Sequence, residues 1–369
     1  MEPRVAPPSA PMPHGARSRR RGKGCGKGCG KGLRAAAVAL LLALPACTAG
    51  PATPPRPAAT STATPAKPPA DPPDVRAEAE RLVRAGAPGA VAYVLDGERV
   101  WQAAAGSAHK GEPMRTGHRF RIASITKTFT AALVLQLVRE GRLSVTDEVE
   151  RLLPGVISTR ATVADLLRHT SGIPDYLTSP GFTRALKGGG HLKRWPPREL
   201  VAHAGAAGPP GTFAYSNTNY ILLGMTLEKL RRRPYGQLVR GRIALPATEL
   251  PAALTPANLA RGRDGATRVH ASIFWSAGGL VSTAADVAAF YRSLFGGARP
   301  EGRAMREGRF GVFAERLGCG AHVLTHSGLI LGYGGAAMST EDGRRVVVVQ
   351  VNASMAGDAI AAAQRLMCG

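Results

Sequence analysis

Apolar positions recur with a helical period from Thr128 to Glu140. Phe129, Leu133, Leu137 and Val138 fall toward one side and Gly141 stops the run, which predicts a helix with a buried face. Residues 75–85 read as a short amphipathic helix, and Val163–Arg168, 198–204 and 220–231 as further helices. Strand-like runs at 88–95 and 99–105 flank Asp96-Gly97, a dipeptide suited to a tight hairpin because glycine accepts positive φ. Toward the other end, Thr283-Ala-Ala-Asp286 has the form of an N-terminal cap for a helix through Leu294. Strand candidates follow at 321–325, 334–339 and Arg345–Val351, and a helix at 356–367 closes the chain. Strands at both ends with helices between them predict an α+β fold: an antiparallel sheet built from the first and last segments and flanked by helices, with a mostly helical lobe beside it.

Composition adds a leader and an anchor to this picture. Residues 1–34 carry nine Lys/Arg and one Glu, and residues 35–46 form an apolar run too short to span a bilayer but suited to a signal-peptide core. The run ends in Leu44-Pro-Ala-Cys47, which resembles the bacterial lipobox, where the cysteine is lipidated. Residues 1–46 are therefore expected to be a leader. Lipidated Cys47 then opens a Pro/Ala/Thr-rich spacer to residue 73 that lacks apolar periodicity, and 74–369 form the folded domain. The protein is expected outside the cell, held to the outer face of the membrane or secreted. A net charge of +23 favours anionic surfaces. It does not indicate nucleic acid, because no recognisable module with stacking aromatics accompanies it.

The 369 residues are 44% hydrophobic, enough for a large core. Five cysteines occur. Cys25 and Cys29 lie in the low-complexity leader and Cys47 is the anchor candidate, which leaves Cys319 and Cys368 as a disulfide pair in an oxidising compartment. Candidate chemistry begins at Ser124, at the start of the helix read through Glu140. Lys127 stands one turn on and on the same side, within reach of the serine proton. Two further short patterns are Tyr215-Ser-Asn217, just before a helix, and His326-Ser-Gly328, in the strand-rich last third. The run Arg231-Arg-Arg233 at a helix end suits the helix dipole and reads as a solvated face.

Taken together, Ser-x-x-Lys, Tyr-x-Asn and His-Ser-Gly in this order resemble the serine β-lactamase and penicillin-binding protein superfamily, in the branch of class C β-lactamases, D-alanyl-D-alanine carboxypeptidases and related esterases. The resemblance runs from Pro88 to Gly369 and includes Leu166-Leu-Arg-His-Thr-Ser-Gly172 and Ser276-Ala-Gly-Gly-Leu-Val-Ser282. It implies an active site between the sheet and the helical lobe. Ser124 would be the nucleophile, and Lys127 and Tyr215 would share the proton transfers, each lowering the other's pKa. Asn217 would donate its amide to the substrate. His326, Ser327 and Gly328 would line the substrate site, and the backbone N–H groups of Ser124 and Leu329 would form the oxyanion hole. The implied substrates are peptidoglycan stem peptides, β-lactams or esters, handled by a monomer without metal or organic cofactor. A Cys-Gly pair before the third motif and another at the terminus match the disulfide expected between Cys319 and Cys368. One position departs from the pattern. Phe313 stands where the carboxypeptidases place an arginine for the terminal carboxylate, which weakens strict carboxypeptidase activity and favours esterase or relaxed amidase activity. A penicillin-reactive sensor with little turnover is the third expectation.

Overall fold

The computed structural model describes residues 73–262 and 268–369. The expected leader, Cys47 and the spacer up to residue 72 lie outside the described residues. Among the described residues no helix is long and apolar enough to cross a membrane.

Among the described residues nine strands form in chain order: β1 (Gly89–Asp96), β2 (Arg99–His109), β3 (Glu112–Pro113), β4 (Phe120–Arg121), β5 (Val281–Ser282), β6 (Phe313–Arg316), β7 (His322–Ile330), β8 (Tyr333–Thr340) and β9 (Arg345–Val351). Seven of them make one antiparallel sheet in the order β3-β2-β1-β9-β8-β7-β6. The two ends of the chain meet at its centre, where β9 lies between β1 and β8. The hairpin at Asp96-Gly97 forms as its residues suggest, with Asp96 opposite Arg99 and Gly97 at a φ of 58°.

Alternation along the central strands explains their composition. Val346 and Val348 of β9 face the larger core, while Val347, Val349 and Val351 face a second one. A strand buried on both sides favours apolar residues at successive positions, hence the valine run Val346–Val349, although the buried Gln350 follows it. The helices Val75–Arg84 and Ala356–Cys368 cover the second face through Val75, Ala79, Leu82, Ala359, Ala363 and Leu366. Asp74 caps the first of them, its Oδ1 accepting from Ala77 N–H at 2.8 Å. A disulfide joins Cys319, in the turn between β6 and β7, to Cys368 at the end of the last helix, with the Cα atoms 5.9 Å apart.

The other face carries the helical lobe, centred on the helix Thr126–Arg139. Every residue of this helix from Thr126 to Leu137 is buried, so it is a central rod buried all round, beyond the single buried face that Phe129, Leu133 and Leu137 suggest. Apolar neighbours surround it: Phe129 stacks on Phe290 of the helix Ala284–Phe295 with ring centroids 4.0 Å apart. Thr283 caps that second helix through Asp286 N–H. Arg231 also departs from the solvated face expected of the arginine run. Its side chain is buried and pairs with Glu140 at 2.6 Å, while Arg232 and Arg233 are exposed.

Candidate active site

Ser124 sits on a single 3-10 turn, Ala123–Ile125, that runs into the helix Thr126–Arg139. Ala123 takes a φ of 48° there, a left-handed value costly for a residue with a Cβ. Several contacts hold the turn in place. Its leading strand β4 pairs with β5, Ile122 N–H donates to Leu280 O at 3.1 Å, and β7 presses on it from the sheet. The fit against β7 is close. A Cβ added at Gly328 would stand 2.4 Å from Ile122 O and 3.2 Å from the Ala123 Cβ. Glycine at this point of the His326-Ser-Gly pattern therefore lets the strand approach the serine.

Three side chains converge on Ser124. Lys127 Nζ lies 3.1 Å from its Oγ, and Tyr215 donates its hydroxyl to the same oxygen at 2.9 Å. Nζ also reaches Asn217 Oδ1 and Ala277 O, both at 2.7 Å. As an ammonium, Lys127 gives one N–H to each of these three oxygens. As a neutral amine it can keep Asn217 and Ala277 on its two N–H donors and turn its lone pair to the serine. Lys127 is completely buried, and burial pulls its pKa down from 10.5 to about 7, with the negative charge of Asp175 acting in the opposite direction.

The helix Asn217–Arg231 begins at Asn217, immediately after Tyr215-Ser216. Ser216 N–H donates to His169 Nδ1 at 3.1 Å, and the His169 ring stacks on Tyr215 at 4.3 Å. His169 holds a left-handed φ of 60° at the end of the helix Val163–Arg168, and burial keeps its pKa well below the usual imidazole range. The segment therefore positions the tyrosine as a ring clamped on a neutral imidazole.

One detail differs from the expected chemistry. Although its ring is partly exposed at the cleft, desolvation of the Tyr215 hydroxyl raises its pKa, and the hydrogen bond to Ser124 only partly opposes this. The tyrosine therefore remains a protonated phenol, while the lysine alone becomes basic. One N–H of the Asn217 amide is held by Asp175, Nδ2 donating to Oδ2 at 2.7 Å, which leaves its second N–H for the substrate. Asp175 thus belongs to the site as an anchor beneath Asn217. From the sequence Asp175 and Tyr176 read as a surface loop, with contact to substrate at the cleft rim as the alternative. The only earlier signal is the position of Asp175 three residues beyond the His169-Thr-Ser-Gly172 turn.

His326 is buried on β7, its Nδ1 2.7 Å from Ser327 O. Burial and the nearby Lys127 charge lower its pKa to about 3, so it is a neutral ring at physiological pH. Ser327 is half-buried beside it, and Leu329 is exposed at the cleft. Phe313 of β6 pairs with Thr325 and packs on the His326 ring at 5.3 Å. Trp275 and Phe274 do not line this site. Trp275 is buried against Tyr235 and Phe274 packs on the core.

The profile of the family described as Beta-lactamase matches residues 75–367. Among solved structures, the chain resembles a D-stereospecific amidohydrolase from Streptomyces sp. with 34% identity and a TM-score of 0.70, over 80% of this chain and 98% of that one. D-amino acid amidase from Ochrobactrum anthropi follows at 25% identity and a TM-score of 0.70, over 79% and 96% of the two chains. Among curated proteins, Penicillin-binding protein 4* of Bacillus subtilis and Penicillin-binding protein 4 of Amycolatopsis lactamdurans are each 32% identical over part of the sequence. Those matches span 37% and 43% of this chain but only 30% and 42% of the relatives' own length.

Proposed function

The chain belongs to the Beta-lactamase family, and from that premise we propose that it is an exported serine hydrolase that cleaves amides or esters of D-configured acyl groups through an acyl-enzyme on Ser124. One observation carries the reading. The Ser124 Oγ is shared by a buried lysine of pKa about 7 and a protonated tyrosine, at 3.1 and 2.9 Å. Neutral Lys127 takes the hydroxyl proton as Oγ bonds to the substrate carbonyl carbon. The backbone N–H groups of Ser124 and Leu329 stabilise the resulting oxyanion, a contribution typically worth about 10²–10³ in rate for one donor. As the bond to the leaving group breaks, Tyr215 supplies that group with its phenolic proton and regains one from the Lys127 ammonium. Water then attacks the acyl-enzyme carbonyl along the reverse route and frees the acid. Likeness to the D-stereospecific amidohydrolase supports the D-configured acyl group, and likeness to penicillin-binding proteins supports reactivity toward β-lactams.

The deciding experiment compares wild type with Ser124→Ala on three readouts: labelling by a fluorescent penicillin, hydrolysis of D-alanine amide, and hydrolysis of p-nitrophenyl acetate. Ser124-dependent turnover of the amide or the ester is the expected result. Stable labelling without turnover of either would favour the sensor reading, and activity surviving in Ser124→Ala would overturn the assignment. Export with lipid at Cys47 is part of the same proposal. Expressed in a bacterial host, the wild type should take up an alkyne-tagged fatty acid and Cys47→Ala should not.

A further inference from the structure

Large apolar side chains cluster at the mouth of the cleft. Among the described residues, Phe213, Tyr215, Phe313 and Leu329 are exposed there, Phe213 at 53% and Phe313 at 37%. Exposed aromatics gathered at one concavity mark a binding surface. Phe213 and Phe313 meet edge to face at 6.3 Å and form one end of a cavity of about 240 Å³. Leu167, Val312 and Ala314 extend its apolar wall, and the His169 and His326 rings complete it.

The place of this cavity relative to Ser124 assigns it a role. His169 stacks on Tyr215, and His326 carries Phe313 on its face. The cavity thus adjoins Tyr215, the residue that protonates the departing group in the proposed mechanism. The groups nearest the reacting bond there offer no cation to a carboxylate. Phe313 is apolar, His326 is neutral, and Lys127 is turned to Ser124, Asn217 and Ala277. Two arginines stand farther out. Arg168 donates from Nε to Gly308 O at 2.8 Å and lies over the Phe310 ring at 4.8 Å, and Arg309 is exposed at the rim.

We infer that this cavity is a leaving-group pocket selecting substrates whose departing alcohol or amine carries an apolar group, aromatic by preference, where a carboxypeptidase substrate carries its terminal carboxylate. The inference rests on the acyl-enzyme reading of Ser124 and names the substrate class of that site. In the step it describes, the Ser124 Oγ–carbonyl bond forms, the carbonyl–oxygen bond to the alcohol breaks, and the alcohol leaves through the pocket with the Tyr215 proton.

The test is kcat/KM of the full chain for the methyl and benzyl esters of N-acetyl-D-alanine, whose alcohols have nearly equal acidity. Any preference therefore reports recognition of the ring. Wild type is expected to favour the benzyl ester about tenfold or more. Phe213→Ser, at an exposed position that tolerates a polar residue, should reduce the benzyl-to-methyl ratio severalfold. Phe313→Arg should reduce it too, while raising turnover of the carboxymethyl ester relative to wild type. A ratio near one in wild type, or one unchanged in both variants, overturns the pocket and leaves the hydrolase reading intact. Absence of Ser124-dependent turnover of both esters overturns the hydrolase reading and the pocket with it.

Discussion

Lys127 is where burial becomes chemistry. A lysine left in water is protonated at neutral pH and accepts nothing, so a completely buried one near pKa 7 is basic in the range where the enzyme would work. Below about 7 it is an ammonium and above it an amine, so kcat/KM should rise with pH through a limb near 7. His326, lowered to about 3, cannot produce that limb. Asp175 favours the ammonium, so Asp175→Asn should move the limb to lower pH, as a pH–rate profile would show. An unmoved limb would remove Asp175 from the site. The same shift bears on stability. Between about 7 and the ordinary lysine value, the unfolded chain binds the Lys127 proton more readily than the folded one, so the free energy of unfolding should rise with pH across that window. Urea midpoints at pH 7 and 9 should show a smaller rise in Lys127→Met, in which that group no longer titrates.

At the level of elements, the site depends on how closely β7 approaches the turn at Ser124. Gly328 provides that closeness by lacking a Cβ, and the obstacle to adding one is the backbone carbonyl of Ile122, which cannot swing aside as a long side chain could. Gly328→Ala should push β7 away from the serine and misplace Leu329 N–H from the oxyanion. A loss of roughly 10²-fold in kcat is expected, comparable to losing one oxyanion donor, with circular dichroism close to wild type. Full activity in Gly328→Ala would show that the strand does not set the site. The helix Thr126–Arg139 teaches a related lesson. Its apolar period is legible in the sequence, yet Thr126, Thr128 and Thr130 are also buried because neighbours satisfy their hydroxyls: Leu280 N–H for the first, Gly311 O for the second and Ser276 O for the third.

For the whole molecule, the sheet depends on strands from opposite ends of the chain, and the disulfide fastens the terminal helix to that sheet. The linked cysteines are 49 residues apart, and closing a loop of that length removes chain entropy worth about 4 kcal/mol from the unfolded state. Cys319→Ser should therefore lower the denaturant midpoint while the enzyme, still folded at 25 °C, retains turnover, because neither cysteine touches the catalytic groups. The Arg365–Glu78 pair, at 2.7 Å, joins the same helix to the first one. It is partly exposed and worth far less. An unchanged midpoint would mean that the terminal helix docks through Ala359, Ala363 and Leu366 alone.

Local rules settled a good part of this protein. Asp96-Gly97, Thr283 with Asp286, and the valine run of β9 each marked an element because turns, caps and strand burial depend on residues close together in the chain. The order of the three short motifs, through their resemblance to a known family, pointed to Ser124, Lys127, Tyr215 and His326. The four-residue strand β6 was not legible as a strand from its own residues, because it is held by pairing with β7. The pKa values were also beyond reach, since desolvation depends on how many distant segments close over a group. Segments near residues 127, 175, 217 and 277 must meet before Lys127 loses water and Asn217 finds Asp175. Residue type and spacing proposed the cast, and only tertiary burial decided that the lysine is basic, the tyrosine stays protonated and the pocket beside Phe313 is apolar.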